Sequence, residues 1–183
     1  MNNYLKLNNL SKKYERNKSL KVLNNINFKF ESGKVYSIVG PSGSGKSTLL
    51  NLLSLIDIPS SGFIEYNNKK IDTNSTIEND SIRSKNIGII YQDKNLLADF
   101  TALENVLFPS LLVTKDKKKS IDLAKKLIKQ FGLNFRFNHF PSELSGGENQ
   151  RIAIARAIIN EPNIILADEP TGSLDFENAK QIF

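Results

Sequence analysis

Gly40-Pro41-Ser42-Gly43-Ser44-Gly45-Lys46-Ser47-Thr48 lies between a short apolar run, Val35 to Val39, and a stretch with helical spacing, Lys46 to Leu55. Glycines let the main chain wrap closely enough for successive N–H groups to face phosphate oxygens. The helix that starts here adds the positive end of its dipole. Lys46 supplies a compact charge for the β and γ phosphates, and the Ser47 hydroxyl suits Mg²⁺. A plain glycine-rich turn is the competing reading, and the filling of every defining position argues against it. The stretch predicts a strand–loop–helix unit that binds a nucleoside triphosphate.

Outward from that loop, Tyr4 to Leu10 and Leu20 to Phe30 read as strands. In the second, Val22, Ile26, Phe28 and Phe30 share one parity. Glu31 to Lys34 makes a turn, and Val35 to Val39 reads as a strand buried on both faces. Pro59 and Gly62 bracket a loop before a strand at Phe63 to Tyr66. Ile71 to Lys85 is polar and weakly patterned, a loop with room for one helical turn. Ile87 to Tyr91 is a strand. From Leu96 to about Phe131 the period is helical, with Ile121, Ala124, Leu127, Ile128 and Phe131 on one stripe. Pro109 is expected to break or kink the earlier part. A further helix runs from about Gly147 to Ile159, and Asn163 to Ala167 again reads as a buried strand. This order predicts an α/β core with a parallel sheet over residues 1–92 and 142–183, and a helical subdomain over 93–141.

That last strand ends in Asp168-Glu169. Neighbours on a strand face opposite sides, so the two acids have different work. Asp168 is placed for Mg²⁺, through water, and Glu169 for polarising the attacking water as the catalytic base. A surface Asp-Glu pair would explain the two residues alone, but not their company with a phosphate loop. Gln92, where the helical insert begins, can bind Mg²⁺ or water through its neutral amide. Tyr14 can stack on a nucleobase, although chemistry alone makes an ordinary core or surface tyrosine as good a reading.

Composition narrows the setting. The 183 residues fit one domain able to bury a core, and the absence of cysteine excludes disulfides and thiolate metal sites. Met1 to Leu10 lacks the apolar centre of a secretion signal. The longest apolar candidate, Leu49 to Ile58, is interrupted by Asn51, Ser54 and Asp57, so no membrane span is expected. The net charge of +6 could serve nucleic acid or an anionic leaflet; spread along the chain, as in Lys115 to Lys119 with its Asp116, it reads as a solvated face.

Leu144-Ser145-Gly146-Gly147-Glu148 directly before a helix resembles the signature of the ABC ATPases, and Leu144 to Arg156 is similar to that family throughout. Ser145 and the Gly146 and Gly147 amides make a second phosphate-binding helix start. The resemblance covers essentially the whole chain. It implies a RecA-like P-loop core with an antiparallel β edge at the N-terminus and a helical signature subdomain. It further implies that ATP and Mg²⁺ are bound, with Tyr14 on the adenine and Gln92 as the Q-loop. Ser173-Leu174-Asp175 would be the D-loop, with Asp175 at a dimer seam. The signature would close on a second subunit's ATP, giving a head-to-tail dimer of identical chains.

Ile56 to Gly62, Leu96 to Val106 and Asp168 to Asp175 resemble more narrowly the branch that powers lipoprotein release, with exporter and cell-division cassettes as near relatives. That implies an integral membrane permease as partner, a peripheral place on the cytoplasmic face of the inner membrane, and no direct nucleic-acid contact. The alternative in view is a soluble ABC ATPase acting on nucleic acid or ribosomes. The family carries a switch histidine beyond the D-loop. Because the chain stops at Phe183 and its single histidine, His139, precedes the signature, the expectation is a missing C-terminal end and weak turnover.

Overall fold

Alternating side chains near the N-terminus build a long hairpin. The computed structural model describes residues 4–16, 18–72 and 75–170, in two compact units, Met1–Arg83 and Ser84–Phe183. In the first unit, β1 (Tyr4–Arg16) pairs antiparallel with β2 (Lys18–Glu31), placing Leu5 opposite Phe30 and Leu7 opposite Phe28. Both strands outrun their sequence pattern because the register shifts between Leu7 and Leu10 and again on either side of Lys12. Asn9 (φ 49°) and Asn25 (φ 51°) accept the left-handed backbone that such bulges need. On the other edge of β1 lies β3 (Ser61–Tyr66), followed by β4 (Lys69–Lys70), in the order β2-β1-β3-β4. Gly62 (φ 79°) has no room for a side chain: a Cβ there would lie 2.3 Å from the Asn9 carbonyl oxygen. Leu5, Leu7, Leu10 and Ile64 of this sheet are buried, as are Leu49, Leu52 and Leu53 of α1 (Lys46–Leu53).

Two expectations for this unit are corrected. Residues 35–39 form no strand; Val35 is 97% and Val39 89% exposed. A parallel strand exists only through its ladder neighbours, and the described residues pair none with this segment. Tyr36 folds back instead. Its hydroxyl accepts from the Glu31 N–H (3.0 Å), and its ring meets Phe28 and Phe30 edge-on. The stretch read as loop holds α2 (Thr76–Asn86). No apolar stripe announces it, and Ile77 stays 84% exposed. Polar contacts hold it: Lys69 pairs with Glu78, Arg83 with Asp80, and Arg83 also donates to the Leu55 carbonyl (3.1 Å).

In the second unit β5 (Ile87–Ile90) runs parallel to β6 (Ile164–Ala167), with Ile87 opposite Ile164 and Ile90 opposite Ala167. Only Leu166 of β6 is buried and Ile165 is 54% exposed, so the expected fully buried strand is open on one face. The helical region comprises α3 (Ala102–Thr114), α4 (Lys117–Gln130) and α5 (Gly146–Ile158). The predicted stripe of α4 holds: Ala124 and Ile128 join Val106, Leu107, Ile152 and Ala155 in one core, with Ile121, Leu127 and Phe131 packed on its flank. Pro109 does not break α3. Val106, Leu107 and Ser110 are buried on both sides of it, so packing holds both turns despite the lost N–H. Buried Asn105 staples the preceding loop, donating to the Leu97, Phe100 and Thr101 carbonyls and accepting from the Leu97 N–H. Among the described residues no helix is long and apolar enough to cross a membrane.

Candidate functional site

The phosphate loop takes its shape from glycine. Gly45, the residue before α1, has φ 94° and no capping side chain, so the first N–H groups of the helix are not consumed by one. A Cβ on Gly45 would lie 2.9 Å from Leu23 Cδ2, and one on Gly40 would lie 2.8 Å from Ser44 Oγ. Gly43 (φ 77°) supplies a second left-handed residue, and the Ser44 N–H closes a turn onto the Pro41 carbonyl at 3.3 Å. Between these glycines lie Pro41, Ser42 and Ser44, all exposed. Lys46 donates to the Gly40 and Pro41 carbonyls, both at 2.9 Å, so two of its three donors hold the loop. Ser47 is exposed and Thr48 half-buried on the first turn of α1.

Tyr14 lies on β1, 38% exposed. Its hydroxyl donates to Asp57 Oδ2 at 2.9 Å, and the Lys12 ammonium sits 5.0 Å from its ring centre. Sequence reasoning found the tyrosine but neither partner.

In the second unit the ladder runs one step past β6, because the Asp168 N–H donates to the Ile90 carbonyl at 2.9 Å. At Glu169, φ is 47°, so the chain leaves the strand there. The two acids are therefore separated by this turn and not by strand alternation alone. Gln92 and Glu169, 77 residues apart, are brought together: Gln92 Nε2 donates to Glu169 Oε2 at 2.9 Å. That contact orients the amide and commits its nitrogen to the carboxylate, leaving its oxygen for a cation or water. In this unit Gln92 and Asp168 offer hard oxygen donors, the kind that suits Mg²⁺. Gln150 of α5, 1% exposed, donates to the Pro170 carbonyl just after Glu169 (2.9 Å), and its own oxygen has no partner among the described residues.

The signature loop is a well-made helix start. Ser145 caps α5 by accepting from the Glu148 N–H (3.2 Å), while Glu148 accepts from the Ser145 N–H (2.8 Å). This box uses the third N–H of the helix and leaves those of Gly146 and Gly147 outside it. The serine hydroxyl, used as an acceptor, keeps its own proton to donate. Nothing lies within 4 Å of where a Cβ would stand on Gly146. Arg136 donates to Glu148 Oε1 at 2.8 Å. That guanidinium, with the Ser145 N–H, outweighs burial and holds the Glu148 carboxyl at about 2. The only histidine, His139, stands 3.4 Å from Arg136, and its carbonyl accepts from the Ala102 N–H at the start of α3.

At the far end of α5, Arg156 donates to the Asn95 (2.6 Å) and Lys94 (2.7 Å) carbonyls, just beyond Gln92. Arg136, Gln150 and Arg156 were missed in the sequence because only the folded contacts give them a role. Glu104, in the segment resembling the lipoprotein branch, is spent on capping α3 through Thr101. Asp175, Ser173 and Leu174 lie outside the described residues.

Comparison with known proteins agrees with this geometry. The family model for the ABC transporter matches residues 23–172. The lipoprotein-releasing system ATP-binding protein LolD of Wigglesworthia glossinidia brevipalpis is 49% identical over 186 residues, which cover 100% of this chain and 81% of that protein. Two solved structures of the cassette MJ0796 are similar with a TM-score of 0.88, each covering 97% of this chain and 79% of its own. One, 40% identical, is a dimeric post-hydrolysis state bound to ADP and Pi. The other, 41% identical, is described as the dimeric structure of a bacterial ABC transporter cassette. This chain belongs to the ABC transporter family, as one of its ATP-binding, ATP-hydrolysing cassettes.

Proposed function

We propose that this cassette hydrolyses Mg-ATP in a head-to-tail dimer of identical chains, and that it drives an integral membrane partner in releasing lipoproteins from the inner membrane. The observation that carries the reading is the start of α5. Ser145, Gly146 and Gly147 offer a second phosphate-directed helix end, in addition to the one at Lys46, and its capping box leaves the Gly146 and Gly147 N–H groups and the Ser145 hydroxyl proton outside it. A second such end in a one-cassette chain is suited to the nucleotide of another copy. The dimeric state of MJ0796 and the 49% identity to LolD support the same reading.

In the proposed reaction the N–H groups of residues 43–48 and Lys46 hold the β and γ phosphates, and Tyr14 stacks on the adenine. Ser47, Gln92 and Asp168 would hold Mg²⁺, which supplies charge neutralisation on the phosphate oxygens. Glu169 accepts a proton from water as the water oxygen attacks the γ phosphorus. The bond to the bridging oxygen breaks, and ADP and phosphate leave. Gln92 holds the Glu169 carboxylate in place through its amide nitrogen. Asp175 would lie at the dimer seam. The protein would work peripherally, on the cytoplasmic face of the inner membrane.

The test is reconstitution of the full-length cassette with its co-purifying membrane subunits in liposomes carrying a fluorescent acylated protein. ATP-dependent transfer of that protein to a soluble acceptor is expected. If ATP is turned over while the acylated protein stays in the bilayer, the lipoprotein assignment is wrong although the ATPase stands.

A further inference from the structure

Outside the phosphate-binding elements, a tightly knit group of charged and polar groups lies where β1 meets the loop after α1. Lys12 is 9% exposed, and its ammonium donates to Asp57 Oδ1 (2.5 Å) and to the Ile58 carbonyl (2.6 Å). The same carboxylate accepts from the Ile58 N–H at 2.7 Å and, on its other oxygen, from the Tyr14 hydroxyl at 2.9 Å. Burial pushes the Asp57 carboxyl up, but the bonds from Lys12, Ile58 and Tyr14 together bring it below its ordinary value. It is therefore an anion at neutral pH. Lys12 and Tyr14 are brought together by their common partner Asp57; the ammonium covers one side of the ring, while 38% of the tyrosine remains open to solvent.

Asp57 is itself fastened to α1. Its N–H and that of Ile56 both donate to the Asn51 carbonyl, at 3.2 and 3.1 Å. The helix that begins at the phosphate lysine, Lys46, thus ends beside the carboxylate that grips the tyrosine. Eight helical residues span about 12 Å, so a short, rigid helix joins the two.

We propose that Asp57, with Lys12, is a positioning residue for nucleobase selection: it fixes the Tyr14 ring, covered on one side, so that the open side receives the adenine of the nucleotide held at Lys46. The proposal rests on Tyr14 being the base-stacking residue. An aromatic anchored at its hydroxyl loses little freedom on stacking, so part of the ordering entropy is removed before the nucleotide arrives. A cluster that merely stapled the fold would have no reason to distinguish the base from the phosphates.

That distinction supplies the experiment. Full-length cassettes are titrated calorimetrically with Mg-ATP and, separately, with Mg-tripolyphosphate, which has the phosphates and no base. Tyr14→Phe keeps the ring and drops the anchor; Asp57→Asn keeps the shape and drops the charge; Tyr14→Ala removes the stacking surface. Tyr14→Phe and Asp57→Asn are each expected to weaken ATP binding about threefold to tenfold, the worth of one anchoring hydrogen bond. Tripolyphosphate affinity should be unchanged, and the double variant should be no weaker than the worse single one. Equal losses for ATP and tripolyphosphate would overturn the proposal in favour of a fold staple. Loss in Tyr14→Ala with none in the two conservative variants would overturn it while leaving Tyr14 on the base. Unchanged binding by Tyr14→Ala would remove the reading on which it rests.

Discussion

Glu148 offers the sharpest test of how the signature loop is held. Its carboxyl lies at about 2, against an ordinary 4.5, because Arg136 and the Ser145 N–H bind the charged form. At ~1.4 kcal/mol per pKa unit, that difference corresponds to roughly 3 kcal/mol of folding stability. The Glu148 side chain is 16% exposed, but that of Arg136 is 42% exposed; solvent screening of the pair brings the expected contribution to about 2 kcal/mol. A lowered folded-state pKa gives stability that is complete above the unfolded value. It should therefore be present above about pH 4.5 and lost as the pH falls toward about 2. Glu148→Gln keeps an acceptor for the Ser145 N–H and removes the charge. Urea denaturation of parent and variant should differ by roughly 1–2 kcal/mol near neutral pH and converge as the pH falls to about 2. Glu104 and Asp57 also titrate from lowered values, so both proteins keep some acid sensitivity, and the difference between the curves is the quantity of interest. A gap that persists undiminished at about pH 2 would refute the electrostatic argument and point to lost packing.

Lys46→Ala removes a charge facing polyphosphate and two bonds to the loop carbonyls; equilibrium titration with a fluorescent ATP analogue should show affinity reduced at least about tenfold. Glu169→Gln should slow single-turnover hydrolysis about 10²–10⁴-fold while ATP still binds, leaving an ATP-bound dimer visible by size-exclusion chromatography. Asn105→Leu strips four hydrogen bonds from the buried staple at residues 97–101. It should lower the unfolding free energy by roughly 2–4 kcal/mol, measured by urea titration.

Motifs fixed by local chemistry were legible in the sequence. Gly40 to Thr48 needs its glycines for backbone reasons alone, and Ser145 with Glu148 three residues later announces a helix start before any fold is known. The apolar stripe of α4 predicted which residues reach the core. Elements that depend on distant partners were not legible. Helix α2 has no apolar face to give it away and is held by Lys69, Glu78 and Arg83. The apolar run at residues 35–39 looks like a strand, yet strand formation requires a neighbour that the local pattern cannot reveal. At the candidate site, Asp57 meets Lys12 across 45 residues and Glu169 meets Gln92 across 77, distances at which no periodicity carries information. Pro109 misled in the opposite sense, since a local rule for breaking helices yielded to burial on both sides of it.

The clasp of Arg156 on the Lys94 and Asn95 carbonyls makes α5 a lever. From Ser145 to Arg156 is about 16 Å of unbroken helix, with the signature amides at one end and, at the other, a two-pronged grip on the chain just beyond Gln92. Both gripped residues have left-handed backbones, with φ 59° and 45°, so the segment cannot slip past the guanidinium without a change of turn. Residues 94–95 and the amides of Gly146 and Gly147 are therefore attached to the two ends of one helix. Gln150, on the same rod, donates to the Pro170 carbonyl, next in the chain to Glu169. The chain after Gln92, the chain after Glu169 and the start of the signature helix are thus fastened to one shaft.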